Sequence, residues 1–375
     1  MQPPPRVVLV GVHGFGRVHL ARLGELAAEQ RLRIAGLADP RPPDADVLAA
    51  LPDADTIPVA ADAAALLADV RPDVTIVSTP IHTHLPLAAH ALAAESHLLL
   101  EKPPTADLAQ FDALSAQVAA AGRACQVGFQ ALGSRAVEHA ALLVADGRLG
   151  RLRGIGVHGA WVRDDAYFAR APWAGRMRLG DAPVTDGALT NAFAHATSAA
   201  LRVVGAAGDA ELTVELERYR TMSPEGDDTA AARITVGRIP VVVAVTLCAA
   251  QARDPMIIVH GERGRLELSY TRDTLSGHVD GQIVDGPAGR TGLLENLLAH
   301  IADPDVALLS PLPASRPFMQ VLEAVRLDRP AQPVPASASA RADGGTRTVA
   351  VGSDEATEQC AEHLLLFSEL PRPWP

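Results

Sequence analysis

The chain has 375 residues, of which 48% are hydrophobic and 21% charged, with a formal net charge of −11 at pH 7. That length exceeds one ordinary hydrophobic core and predicts two domains, while the acidic balance without a basic cluster argues against a nucleic-acid partner. No stretch reaches the roughly 18 to 20 consecutive apolar residues of a membrane-spanning helix, and the start runs into Val7 without a secretory pattern, so a cytoplasmic protein with no membrane contact is expected.

In chain order, short β-rich apolar runs at 7–10, 32–38, 74–78, 97–100 and 125–130 alternate with helical stretches at 16–28, 62–68, 85–94, 106–121 and 134–146. Alternation of this kind builds βαβ units, and right-handed crossovers turn them into a doubly wound parallel sheet. A dinucleotide-binding Rossmann domain is therefore predicted over residues 1–130. The remainder, 131–375, has longer alternating runs at 153–163, 210–220, 231–236, 240–249, 256–260 and 265–270, with helical patterns at 189–204, 292–301 and 317–327. It reads as an α+β domain with an open, mostly antiparallel sheet that binds substrate and forms subunit contacts. The Pro/Ala/Ser/Gly-rich stretch 330–345 is expected to be a mobile loop, and 354–370 a C-terminal helix. Cys125, Cys248 and Cys360 are too scattered for a thiolate metal site, and no metal is expected.

The first strand ends in Gly11-Val-His13-Gly14-Phe15-Gly16, which opens a helix. Dinucleotide loops use glycine for the tight turn, for backbone approach to the pyrophosphate and for packing of the helix. Gly11 and Gly16 fit, His13 takes the middle position and Gly14 follows it. Asp39 closes the next strand, where a carboxylate accepts the ribose hydroxyls and disfavours a 2′-phosphate. NAD is the expected cofactor, with NADP left open by Arg41, two residues on. Ser78, Thr79, Pro80 and His84 after one strand, and Glu101 and Lys102 after the next, sit at carboxyl ends of strands, where open α/β sheets bind ligands. For His82 and His84, helix capping is an equal alternative. Of 33 basic residues, Lys102 alone is lysine. Its retention points to a position that needs a compact ammonium able to change protonation state.

In the second domain Asn191 and His195 follow Asp186-Gly-Ala-Leu-Thr, four residues apart and so expected on one helical face. His195 is a candidate general base beside Lys102, with ordinary structural use the alternative. Arg163, Tyr167, Arg170 and Trp173 precede that helix and suit a sugar-like ligand, by ring stacking and hydrogen bonding.

These motifs together resemble the Gfo/Idh/MocA oxidoreductases, the family of glucose–fructose oxidoreductase and inositol dehydrogenases; Glu101-Lys102-Pro103 is the most specific element. The resemblance implies that Lys102 is the catalytic lysine, His195 the family's histidine and Gln130 a residue near the nicotinamide. It also implies a homodimer or homotetramer. Asn191 stands where many members carry aspartate, which shifts proton transfer toward Lys102. The expected reaction moves hydride between NAD(P) and a secondary alcohol or ketone of a sugar, cyclitol or glycosylated small molecule. The alternatives are an NAD-dependent epimerase or glycosidase that oxidises its substrate transiently, and a nicotinamide-sensing regulator without catalysis.

Overall fold

A computed structural model describes residues 3–208 and 210–375. The chain divides into two compact units, one formed by residues up to Gly128 with Leu293–Leu312, the other by Phe129–Gly292 with Pro313–Pro375.

The first unit runs β1 Arg6–Val10, α1 Gly16–Ala28, β2 Arg33–Ala38, α2 Ala45–Ala49, β3 Val59–Ala60, α3 Ala63–Val70, β4 Val74–Val77, α4 His84–Ala93, β5 His97–Leu100, α5 Leu108–Ala121 and β6 Cys125–Val127. Its six strands are all parallel in the order β3-β2-β1-β4-β5-β6, the expected Rossmann sheet. Val7, Val8, Leu9, Val74, Ile76 and Val77 are fully buried, as central parallel strands covered on both faces must be. The order reverses at β1 and β4, which opens a crevice at their carboxyl ends.

The helix Leu293–Ala302 belongs to this unit. Leu293, Leu294, Leu297 and Leu298 join the core of β1 and α1. Gln126 Nε2 donates to Leu293 O (2.6 Å) and Asn296 Oδ1 (3.0 Å), and Asn296 Nδ2 donates to Ala307 O (3.0 Å). One of the chain's two asparagines is thus a buried link between β6 and this returning segment.

The second unit contains α6 Arg135–Ala145, β7 Leu152–Val162, α7 Asp165–Phe168, β8 Arg178–Leu179, β9 Ala182–Pro183, α8 Ala194–Val203, β10 Leu212–Arg220, β11 Thr229–Val236, β12 Ile239–Thr246, β13 Cys248–Gly261, β14 Gly264–Ser269, β15 Thr274–Val279 and β16 Gln282–Asp285. With the Leu293 helix counted as α9, there follow α10 Arg316–Leu327, β17 Gln332–Pro333, β18 Ser339–Ala342, β19 Arg347–Ala350 and α11 Ser353–His363. Nine strands form one sheet in the order β16-β15-β14-β13-β7-β12-β11-β10-β17. It is antiparallel except at β7–β12 and β10–β17, again the expected class.

Three segments differ from expectation. The helix expected over 354–370 ends at His363, where Leu364 takes a left-handed φ of +58°, and a 3-10 turn at Phe367–Glu369 follows. Instead of one loop, 330–345 carries β17, paired with β10, and β18, paired with β19. Backbone pairing, with Arg347 on Asp343, orders a stretch that lacks large apolar side chains. Instead of one helix over 189–204, Ala188–Ala192 is a π-helical turn, and α8 starts after Phe193. The amides of Ala192 and Phe193 reach back five residues to Gly187 and Ala188, while Asp227 takes the Ala188 amide with its backbone oxygen and the Leu189 amide with its carboxylate. Asn191 and His195 therefore lie in different elements, and regular helical spacing does not relate them.

Against one face of the sheet lies α11. A Cβ at Gly156 would stand 1.9 Å from Ala361 O, and one at Gly154 2.5 Å from a Leu364 methyl; these glycines, with Ala231 and Ala244, form the smooth surface on which Ala356 and Cys360 sit. Gly156→Ala is expected to lower unfolding free energy by at least about 2 kcal/mol, since the clash is with backbone and the helix must lift. Urea titration measures this, and an unchanged midpoint would remove the packing account.

Candidate functional site

Four strand ends of the first unit carry the polar groups. After β1, Gly11 has φ +88°, and a Cβ there would lie 2.2 Å from Ser78 O, so the glycine turn and the loop after β4 touch backbone to backbone. Gly14 has φ +56° with open space where its Cβ would be, whereas a Cβ at Gly16 would meet Gly11 O at 2.0 Å. The turn therefore keeps one bare backbone surface and one close packing contact. Phe15 is 48% exposed and meets the His19 ring edge-on at 5.3 Å.

Asp39, at the end of β2, accepts from the amides of Val12 and Arg41, both at 3.0 Å. It is half-buried, and a carboxylate so held retains lone pairs for further donors. The Arg41 guanidinium turns back over the glycine turn, its Nε 3.1 Å from His13 Nε2. Between these strand ends a cleft of about 760 Å³ is lined by Gly11, Asp39, Pro40, Thr79, Pro80 and Leu87, among others. A bare turn, a fixed carboxylate and an apolar cleft are what a dinucleotide requires at pyrophosphate, ribose and base, so these residues fit NAD.

His84, quoted above with the cofactor residues, is buried at 1% exposure. Its Nε2 lies 2.9 Å from Thr79 O and its Nδ1 3.0 Å from Pro103 O, so it ties the loop after β4 to the loop after β5. Burial pushes its imidazole below the ordinary value, against the opposing carbonyls and the Glu101 charge. Glu101 is buried too, with Oε1 2.8 Å from His19 Nε2 and Oε2 accepting the Lys102 amide at 3.2 Å. A Cβ at Gly128 would be 2.7 Å from Glu101 Oε1; only glycine leaves room for this carboxylate. Lys102 is half-buried directly beyond it.

Burial lowers His97, His158 and His260 as well as His84. The unfolded chain then binds more protons just below the ordinary imidazole value of about 6.5, so their contribution to stability is lost as pH falls through that range. Asp227 and Asp228, raised by burial, act in the opposite sense. The histidine share is read as a difference: in thermal unfolding between pH 7 and pH 5, the loss should be shallower in His158→Gln than in the native chain. Parallel curves would refute it.

In the second unit, Gln130 opens a short 3-10 turn, Gln130–Gly133. His195, early in α8, meets the Phe129 ring at 6.1 Å and the Tyr270 ring at 6.3 Å. Asn191 Nδ2 donates to Asp186, whose buried carboxylate also accepts from Gly175 N (2.6 Å) and Arg170 Nη2 (3.3 Å). The missing carboxylate of the Asn191 position is thus supplied one side chain away. Asp186 opens the quoted motif, but a five-residue offset gave no reason to pair it with Asn191. Arg163, Tyr167, Arg170 and Trp173 are brought together as a stack: Arg163 lies 4.9 Å from the Tyr167 ring, and Arg170 3.9 Å from Tyr167 and 4.7 Å from Trp173.

Residues 5–129 match the family model described as the oxidoreductase family with NAD-binding Rossmann fold, and 137–267 match the GFO/IDH/MocA C-terminal domain. Together these cover more than half of the chain, which belongs to the Gfo/Idh/MocA family of NAD-binding oxidoreductases. Among solved structures, it is similar to the WlbA dehydrogenase from Bordetella pertussis in complex with NADH and UDP-GlcNAcA, at 19% identity over 86% of this chain and 95% of that one, TM-score 0.68. UDP-N-acetylglucosamine 3-dehydrogenase GnnA from Acidithiobacillus ferrooxidans is also similar, at 19% identity over 87% and 98%, TM-score 0.68. No curated protein matches the chain. Among the described residues no helix is long and apolar enough to cross a membrane.

Proposed function

We propose that this enzyme oxidises a secondary alcohol on a sugar-like ring, or reduces the matching ketone, with NAD as the preferred cofactor. The observation that carries the reading is the row of strand ends in one sheet: glycine turn after β1, Asp39 after β2, Ser78–Thr79 after β4 and Glu101–Lys102 after β5. Bound nicotinamide supplies the acceptor or donor of the hydride. Gly11, His13, Gly14, Phe15 and Gly16 hold the pyrophosphate by backbone approach, and Asp39, fixed by two amides, takes the ribose hydroxyls and disfavours a 2′-phosphate. Ser78, Thr79 and Pro80 line the cofactor; His84 and Glu101 set the loops that carry Lys102, and Gln130 stands toward the nicotinamide end. In the oxidation, the substrate hydroxyl proton passes to a neutral Lys102 Nζ. His195 is the second proton-transfer group, and Asn191, oriented by Asp186, holds a substrate hydroxyl. The stack from Arg163 to Trp173 binds the rest of the substrate. A cytoplasmic homodimer or homotetramer is the proposed working state, assembled on surfaces other than the sheet area beneath α11.

The test is a screen of sugars, cyclitols and nucleotide sugars, each with NAD+ and NADP+, followed by absorbance of the reduced cofactor. Nucleotide sugars enter because the similar WlbA dehydrogenase holds UDP-GlcNAcA and the similar GnnA is a UDP-N-acetylglucosamine 3-dehydrogenase. Stoichiometric reduced NAD is expected; product without net reduced cofactor would favour transient oxidation, and binding without turnover a sensor.

A further inference from the structure

Among the described residues the Arg163 guanidinium is a cation without an ion-paired anion. It lies over Trp161 and over Tyr167, 4.9 Å from each ring, and Trp161 is itself backed by Phe193 at 4.3 Å. Its Nη1 makes a long hydrogen bond to Val162 O at 3.5 Å and the neutral Tyr167 hydroxyl is a further side-chain partner, while Nε is buried with no acceptor among the described residues. No carboxylate of the described residues stands within ion-pair distance of it. The nearby acids are otherwise engaged or turned away: Asp164 accepts the Tyr167 amide (3.0 Å), Asp165 is exposed, and Asp186 is committed to Arg170, Gly175 and Asn191. Arg170 is thereby neutralised; its Nη1 also donates to Tyr167 O at 2.8 Å.

Of two guanidiniums in one aromatic stack, one has its charge answered by Asp186 and the other meets no carboxylate among the described residues. Arg163 is half-buried; partial loss of water around a cation without a counter-charge is unfavourable, and stacking on two rings offsets part of that. Stacking also fixes the guanidinium plane, so that its N–H groups form a rigid fork matched to two oxygens of one carboxylate or phosphate.

We infer that the substrate carries an anionic group, a carboxylate or a phosphate, and that Arg163 is the residue that selects it. This rests on the reading of the 161–173 segment as substrate-binding, and it narrows the substrate from any sugar-like alcohol to a sugar acid or a phosphorylated sugar.

The test uses the NAD-saturated protein and a panel of neutral sugars, each paired with its uronate and its phosphate ester, with affinities from calorimetric titration. The native chain should bind at least one charged form about tenfold to a hundredfold more tightly than its neutral counterpart. The uronate and phosphate arms say which anion is preferred. That preference should vanish in Arg163→Gln and survive in reduced form in Arg163→Lys, which keeps the charge and loses the fork. Melting temperatures of both variants establish that they fold. Equal binding of neutral and charged forms, a preference that persists in Arg163→Gln, or no binding by any member overturns the inference. Charged members bound through Arg163 without formation of reduced nicotinamide would overturn the proposed reaction and leave the anion site standing.

Discussion

Replacing Lys102 by arginine should lower kcat by about two to four orders of magnitude, the usual worth of a positioned proton-transfer group, while NAD affinity stays within a few-fold of native. Arginine keeps the positive charge but does not give up a proton near neutral pH, so the substitution separates electrostatic attraction from proton relay. The backbone position is anchored independently, because Glu101 Oε2 accepts the residue-102 amide and Oε1 meets His19. Loss of activity would therefore report on Nζ chemistry rather than on a collapsed loop. Stopped-flow turnover with a substrate from the screen, beside a fluorescence titration of NADH, reads both quantities. Full activity in the variant would remove Lys102 from the chemistry.

Gly11→Ala should weaken NAD binding at least a hundredfold. An added methyl would lie 2.2 Å from Ser78 O and 2.8 Å from a Thr79 methyl, at a φ of +88° that L side chains avoid. Relief requires the glycine turn and the β4 loop to separate, and both line the cleft that fits the dinucleotide. Titration with NADH measures the loss. Gly14→Ala is the informative partner, because no protein atom lies near its Cβ position. If cofactor approaches there, this variant too loses affinity while stability changes little. Unaltered NADH binding in Gly11→Ala would mean that the turn does not hold the pyrophosphate.

Much of the first unit was legible because its strands are apolar on both faces and its turns use residues with few alternatives. Val74–Val77, fully buried, has no other reading than a central strand, and a glycine turn between a strand and a helix announces itself. β3, two residues long, has no periodicity to detect. Partnerships over distance were equally hidden: His19 with Glu101, 82 residues apart, and Gly128 against the same carboxylate follow from the fold and from no local pattern.

The second unit shows the opposite weakness. Asn191 and His195 were singled out by residue type, yet helical spacing misplaced their relation, because the carboxylate and carbonyl of Asp227 draw the chain into a π-helical turn before α8 begins. Asp186 acquires meaning only through side-chain contacts with Asn191 and Arg170. In β7, nothing local marks Gly154 and Gly156 as the seat of α11, a contact made some 200 residues later in the chain.

The most direct test of the account follows an isotopic label in a single turnover. A substrate carrying deuterium on the carbinol carbon is mixed with enzyme and stoichiometric NAD+, and the products are examined by mass spectrometry. The account predicts one deuterium in the reduced nicotinamide, at a rate that falls in Lys102→Arg in step with kcat. Product formed with the deuterium retained in the sugar or lost to solvent, and none in the cofactor, would contradict it.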